Sequence, residues 1–252
     1  PKNFIGIHFF SPVDKMMLVE IILGKKTGDK ALAVAIDYVR AIKKTPIVVN
    51  DTRGFYVNRC VLRYMSEAYK MLIEGVPAPM IENAAKAVGM PVGPLALTDE
   101  TAVDLAQKIM HQTVRDLGEN AVDPAQMKLI DIMVDKHGRL GRKNSKGFYD
   151  YPPKPAKKKL WPGLADLYPQ RKPEDIDFEE LKKRFLTTIA LEASRVMAEG
   201  IVTDPREADV GSILAFGFAP YTGGAISYID FMGTAAFVKQ AKALQKKYGA
   251  DF

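Results

Sequence analysis

Branched and aromatic residues crowd two short runs near the start of the chain, Phe4 to Phe10 and Leu18 to Ile22, with Ser11-Pro12-Val13-Asp14-Lys15 between them. Runs of this length, broken by turn residues, predict two β-strands joined by a tight connection. A stripe at Leu32, Ile36, Val39 and Ile42 predicts a helix over 27–43 with Thr27 as its cap, and Pro46 to Asn50 predicts a third strand. Beyond Gly54 the period lengthens to that of a helix. Val57, Val61, Met65, Ala68 and Leu72 line one face of a helix over 55–74 that stops at Gly75, and Pro79 opens a shorter helix that stops at Gly89. Thr98 or Asp99 starts the next, with Val103, Ala106, Met110 and Val114 inward and Gly118 at its end. Asp123-Pro124 starts a fourth, with Met127, Ile130 and Val134 inward, ending at Gly138. Methionines at these spacings read as core.

From 138 to 173 the pattern is irregular and rich in Pro, Lys and Gly, which excludes a long helix; Trp161-Pro162-Gly163-Leu164 and Tyr168 point to a segment packed along a surface. Helical periodicity then returns as a repeat. Glu67-Ala68 with Glu74-Gly75 recurs as Glu192-Ala193 with Glu199-Gly200 at one fixed offset, and the turn at Gly93 and Asp99 has a counterpart near Gly223 and Asp230. Two related helical units are implied. Asp177 with Glu180 makes a capping box for the first helix of the second unit, and Pro205 opens the next.

Composition narrows the class. At 252 residues and 47% hydrophobic content the chain can bury a large core, divided among one to three small domains. Its single cysteine, Cys60, cannot form an internal disulfide, which fits a reducing, cytoplasmic setting and a packing role. No apolar run reaches membrane-spanning length. The net charge of +6 is spread along helices among acidic neighbours, without zinc-finger, basic-zipper or aromatic RNA-binding patterns, so nucleic acid is not the expected partner. The one dense basic patch, 139–159, reads mainly as solvated linker, with Arg142, Lys143 and Lys146 as candidates to meet the phosphates of an anionic substrate.

Antiparallel pairing about a loop centred on Asp14 sets His8 opposite Glu20. An imidazole held by a carboxylate has one ring nitrogen fixed and the other free to accept a proton, the arrangement of a general base beside its orienter. The same pair also suits a buried histidine that merely finds a carboxylate. Asn58, near the start of the helix after Gly54, adds an amide directed to a crevice. His111 and His137 lack a Glu or His at ligand spacing and read as surface or helix-end histidines; no metal site is expected.

The runs Gly6-Ile7-His8-Phe9-Phe10-Ser11-Pro12, Met16-Met17-Leu18-Val19-Glu20 and Asp51-Thr52-Arg53-Gly54-Phe55-Tyr56-Val57-Asn58-Arg59 resemble the signature of the 3-hydroxyacyl-CoA dehydrogenases of fatty-acid oxidation. So do Gly89 to Pro94 and Gly141 to Asp150, and the resemblance covers nearly the whole chain. It implies an α/β remnant of a Rossmann-type NAD-binding domain over 1–52, a mostly α-helical first C-terminal domain over 53–150, a linker over 151–176 and a second helical domain over 177–252. It implies NAD as cofactor, oxidation of (S)-3-hydroxyacyl-CoA to 3-ketoacyl-CoA, His8 as base, Glu20 as its acidic partner and Asn58 as an amide that holds substrate. Two helical units and the Trp161 linker resemble the multifunctional type, which brings a hydratase domain, a thiolase partner and a homo-oligomer into the expectation. With Thr187 or Thr188 where the first unit has Asn58-Arg59, and no His–Glu pair, the second unit is given a packing or interface role.

No G-x-G-x-x-G occurs, so the turn that cradles a dinucleotide's phosphates is missing. The chain is accordingly read as N-terminally truncated, inactive by itself and weak toward NAD. The competing reading is a non-catalytic helical dimerisation or scaffolding module.

Overall fold

A computed structural model describes all 252 residues. The first two runs form β1 (Gly6–Phe9) and β2 (Leu18–Leu23), followed by α1 (Asp29–Ala41) and β3 (Thr45–Asn50). β2 is central, antiparallel to β1 and parallel to β3. Side chains alternate across the pleat. Val19 and Ile21 therefore share one face, packed on Ala35 and Val39 of α1 with Ile7, Phe9 and Leu32 around them, while Glu20 points to the other face. The Thr27 cap is not formed: Gly28 is the N-cap, and the Thr27 hydroxyl donates to the Phe4 carbonyl while accepting from Gly24 N–H.

The outer edge of β3 is not bare. Its Asn50 N–H donates to the Ile201 carbonyl at 2.8 Å and its Val48 N–H to the Glu207 carboxylate at 3.1 Å, so a C-terminal segment satisfies the outer donors. An apolar groove lined by Ile5, Ile7, Ala31, Val34 and Tyr38 stays open between β1 and α1, with Val34 and Tyr38 exposed.

The helical stretch comprises α2 (Val57–Ile73), α3 (Ala78–Ala87), α4 (Pro94–Thr101), α5 (Val103–Leu117) and α6 (Pro124–Asp131). β4 (Tyr149–Asp150) and β5 (Lys159–Leu160) make a two-stranded ladder inside the stretch read as linker, and α7 (Leu164–Leu167) follows. The chain closes with α8 (Phe178–Ala198), α9 (Pro205–Phe216), α10 (Ser227–Met232) and α11 (Thr234–Tyr248). Asp123 caps α6 through Ala125 N–H, Asp177 accepts from Glu180 N–H, and Asp204 caps α9 through Arg206 N–H. No helix is long and apolar enough to cross a membrane.

Thr98 and Asp99 do not start a helix. They lie buried inside α4, and the break before α5 falls at Ala102, whose φ is +78°. The hinge between α10 and α11 has almost the same backbone at Gly233, φ +80° and ψ +129° against +78° and +124°. An acid on the second helix of each set, Glu82 buried and Asp209 half-buried, holds the start of the third. Glu82 on α3 accepts Leu95 N–H at 2.8 Å, and Asp209 on α9 accepts Ile226 and Ser227 N–H at 2.8 and 3.0 Å. Each acid lies so close to a glycine backbone, Gly93 or Gly224, that a Cβ there would overlap the side chain.

The chain forms two compact units that are not consecutive segments. One comprises 1–63, 89–91 and 184–252; the other comprises 64–88 and 92–183, the division falling inside α2 and inside α8. In the second unit Asp99 accepts Phe148 N–H at 2.7 Å, Tyr149 N–H at 2.8 Å and the Tyr151 hydroxyl at 3.0 Å, which pins the loop after α6 onto α4. Arg139 completes that loop, donating to the Gly147 carbonyl and lying 4.3 Å from the Trp161 ring centroid.

Burial pushes the Asp99 carboxyl up from 3.8 to about 6, although its hydrogen bonds oppose the shift. Between those values the folded chain holds a proton that the unfolded chain has released. Relative to Asp99→Asn, the wild type should therefore lose up to about 3 kcal/mol of unfolding free energy as pH rises from roughly 4 to 7. Denaturant titrations of both proteins across that range measure it; a constant difference, or one of opposite sign, would refute the assignment.

Candidate active site

The register of the hairpin makes the site. His8 pairs directly with Glu20 across β1 and β2, and the His8 Nδ1 lies 2.7 Å from Glu20 Oε2. Glu20 is completely buried, whereas 27% of the His8 side chain reaches solvent. A carboxylate can only accept, so His8 donates through Nδ1–H and the neutral ring presents Nε2 as a free lone pair. The ring is held from its sides as well, with centroids 4.5 Å from Phe10 and 5.6 Å from Phe55.

The other Glu20 oxygen is occupied too. Oε1 accepts from Tyr56 N–H at 3.1 Å and Val57 N–H at 2.9 Å, at the beginning of α2. The first N–H groups of a helix have no partner within it and carry its positive end, so a buried carboxylate there is favoured in energy and saturated in geometry. The chain reaches this position through Gly54 and Phe55, with φ of +77° and +49°. Such backbone is uncommon for a bulky residue, and here it carries the Phe55 ring beside the imidazole.

Asn58 occupies the first turn of α2, next to Val57. It is exposed, and its amide makes no hydrogen bond within the chain. His8, Glu20 and Asn58 belong to one compact unit. Arg142, Lys143 and Lys146 belong to the other, on the loop before β4. Arg142 pairs with Glu100 and Lys143 with Asp104, whose carboxyl is held below its usual value first by that Lys143 bond. Lys146 is exposed and bonds through its backbone to Gly141.

His111 lies 2.9 Å from Asp131, and His137 packs on the Trp161 ring with centroids 4.9 Å apart. Thr187 and Thr188 are buried, Thr187 accepting from Gln240 at 2.8 Å. No cluster of three or more His, Cys, Asp or Glu has the geometry of a metal site. The residues that the sequence reading lacks are Phe10, Phe55 and the N–H groups of Tyr56 and Val57. A helix start directly after Gly54 is the one sequence feature that points to the last two, since the first N–H groups of a helix lack partners within it.

The stretch 1–52 matches the family model described as 3-hydroxyacyl-CoA dehydrogenase, NAD binding domain, and residues 54–151 match the model of the 3-hydroxyacyl-CoA dehydrogenase C-terminal domain. Among curated proteins the chain is 40% identical over 254 residues to the fatty acid oxidation complex subunit alpha of Shewanella amazonensis, covering 100% of this chain and 35% of that protein. The subunit of the same name from Vibrio cholerae is also 40% identical, over 256 residues and with the same coverage. The chain thus spans about a third of the length of these relatives.

Among solved structures, 3-hydroxybutyryl-CoA dehydrogenase from Escherichia coli K12 superposes with a TM-score of 0.76 at 21% identity, covering 99% of this chain and 68% of that one, a likeness of fold. The dehydrogenase part of multifunctional enzyme 1 from C. elegans gives 0.62 at 27% identity, over 86% and 49% of the two chains. (S)-3-hydroxybutyryl-CoA dehydrogenase PaaH1 from Ralstonia eutropha gives 0.52 at 36% identity, over 60% and 53%.

Glu20→Gln separates charge from shape. The amide oxygen can still accept from the start of α2, but the NH₂ then faces His8 Nδ1 and requires it to accept, which moves the ring proton to Nε2. The variant should fold with the His8 tautomer inverted, as read by ¹⁵N chemical shifts of the imidazole. An unchanged Nδ1–H tautomer would contradict this account of the pair.

Proposed function

This chain belongs to the 3-hydroxyacyl-CoA dehydrogenase family, with a Rossmann-like NAD-binding domain and a helical C-terminal domain, and from that premise we propose that its His8 is the general base in oxidation of (S)-3-hydroxyacyl-CoA to 3-ketoacyl-CoA. The observation that carries the reading is the 2.7 Å contact between His8 Nδ1 and a fully buried Glu20, with 27% of the His8 side chain open to solvent.

Nε2 takes the proton of the 3-hydroxyl as the carbonyl forms. Glu20 keeps the ring in the accepting tautomer and then faces the imidazolium, so charge is balanced without rearrangement. Phe10 and Phe55 restrict the ring to one orientation and shield the pair from water on two sides. Asn58, exposed and with its amide unspent, holds the polar end of the reacting segment. Arg142 and Lys143 already have carboxylate partners, so a role for them at the CoA phosphates requires exchange of those pairs; Lys146 is the more available of the three.

NAD, when bound, supplies the hydride acceptor. The residues of this chain include no glycine-rich strand-to-helix turn to cradle its pyrophosphate, so their own part is proton transfer and positioning. The 252 residues expressed alone are accordingly predicted to lack dehydrogenase turnover; an isothermal titration giving micromolar NAD affinity would overturn that.

We also read the two helical sets as related copies, on the strength of the matching hinges at Ala102 and Gly233 and of the acids at Glu82 and Asp209. The second lacks a His–Glu pair and serves packing. On this reading the complete protein would combine this activity with a hydratase domain and work beside a thiolase, in the cytoplasm, as an oligomer.

His8→Ala or His8→Gln in the full-length protein decides between this enzyme and a helical scaffold. The enzyme predicts a fall in kcat of about 10²–10⁴ with the fold intact by circular dichroism. A scaffold predicts no change in turnover.

A further inference from the structure

Glu20 and Asn58 depend on one short piece of backbone, the first turn of α2, and that turn has a second set of anchors. Arg59 directly follows Asn58. Its Nε donates to Glu192 Oε1 on α8 at 2.7 Å, and its guanidinium also pairs with Glu199. Arg63, one turn on, donates to Glu192 Oε2 at 3.3 Å and to Asp251 at 2.8 Å, and Arg195 approaches Glu192 at 3.5 Å. Glu192 is thus a buried carboxylate, 3% exposed, among three guanidinium groups, and Glu199 and Asp251 balance the other two charges. The Tyr56 hydroxyl donates to the Ala208 carbonyl at 2.7 Å from the neighbouring α9. Gly211 on α9 lets that helix approach: a Cβ there would meet Ile47 at 2.9 Å and the Tyr56 ring at 3.0 Å.

We propose that Glu192 is a positioning residue for the His8–Glu20 pair, acting through Arg59 on the first turn of α2. The proposal rests on His8 being the base. Asn58 and the N–H groups of Tyr56 and Val57 share this one turn, so a rotation of the helix start moves them together. Arg59 reaches one way to Glu192, while the two N–H groups reach the other way to Glu20. Glu192 therefore fixes how far the helix start is rotated toward the imidazole, and the C-terminal helices, which hold no base of their own, shape the site from behind. Two guanidinium nitrogens of Arg59 converge on Glu192 Oε1 while Arg63 holds Oε2, and charge-assisted contacts of this kind are directional enough to set such a rotation, where a lone hydrophobic contact is not.

The test compares Glu192→Gln and Arg59→Lys with wild type in the full-length protein. Both should lower kcat about tenfold with KM changed less than about twofold, the scale of coupling between residues that share a hydrogen-bonded network. In a His8→Ala background Glu192→Gln should cost nothing further, and in the otherwise wild-type protein it should shift the His8 Nδ1–H proton resonance. Tyr149→Phe, which removes a hydroxyl bond to Glu82 in the other compact unit, is the control for stability: it should lower the melting temperature and leave kcat and that resonance unchanged. The inference fails if Glu192→Gln lowers the melting temperature alone, with kcat and the resonance at wild-type values. Full activity of His8→Ala would instead sink the catalytic reading, and the Nδ1–H resonance of Glu192→Gln would still decide whether Glu192 positions the pair.

Discussion

A carboxylate in the middle of a central β-strand, without contact with water, is costly unless hydrogen-bond donors meet both of its oxygens. Glu20 meets that condition with one donor from the hairpin and two from the start of α2. The arrangement ties the hairpin, the helix start and the imidazole to one group, so the sheet cannot take another register without stranding a buried charge. Stability and the proposed chemistry share one constraint.

The same device recurs away from the site. Glu82, Asp99 and Asp209 each accept backbone N–H from a segment distant in sequence, with a Tyr or Ser hydroxyl beside it, and each abuts a glycine whose missing Cβ makes room for the carboxylate. Side-chain acceptors replace secondary-structure bonds where chain directions change abruptly. These acids act as internal staples, and the price is a dependence on small residues at Gly93, Gly147 and Gly224.

The C-terminal helices are bound into the sheet rather than appended to it. Asn50 and Val48 on the outer edge of β3 find acceptors at Ile201 and Glu207, and Tyr56 finds one at Ala208. A parallel edge strand presents unpaired donors and acceptors. Here the turn between α8 and α9, together with Glu207 on α9, takes up the outer donors, which gives the second helical set a physical task even though it lacks a base.

Local pattern was enough to determine the strands of the hairpin, the opposition of His8 and Glu20, most helix spans and the helix starts at Asp123, Asp177 and Pro205. Strand alternation, loop length and capping are properties of residues close in sequence, and the runs shared with the family identified the family. Pattern failed where a partner lay far along the chain. Thr98-Asp99 before an apolar stripe looks locally like a helix start, yet Asp99 is a buried acceptor for N–H groups 49 and 50 residues away. Glu207 at the β3 edge and Glu192 on Arg59 are equally invisible, because the energy of a desolvated charge depends on every donor around it. Only the folded chain decides which donors those are.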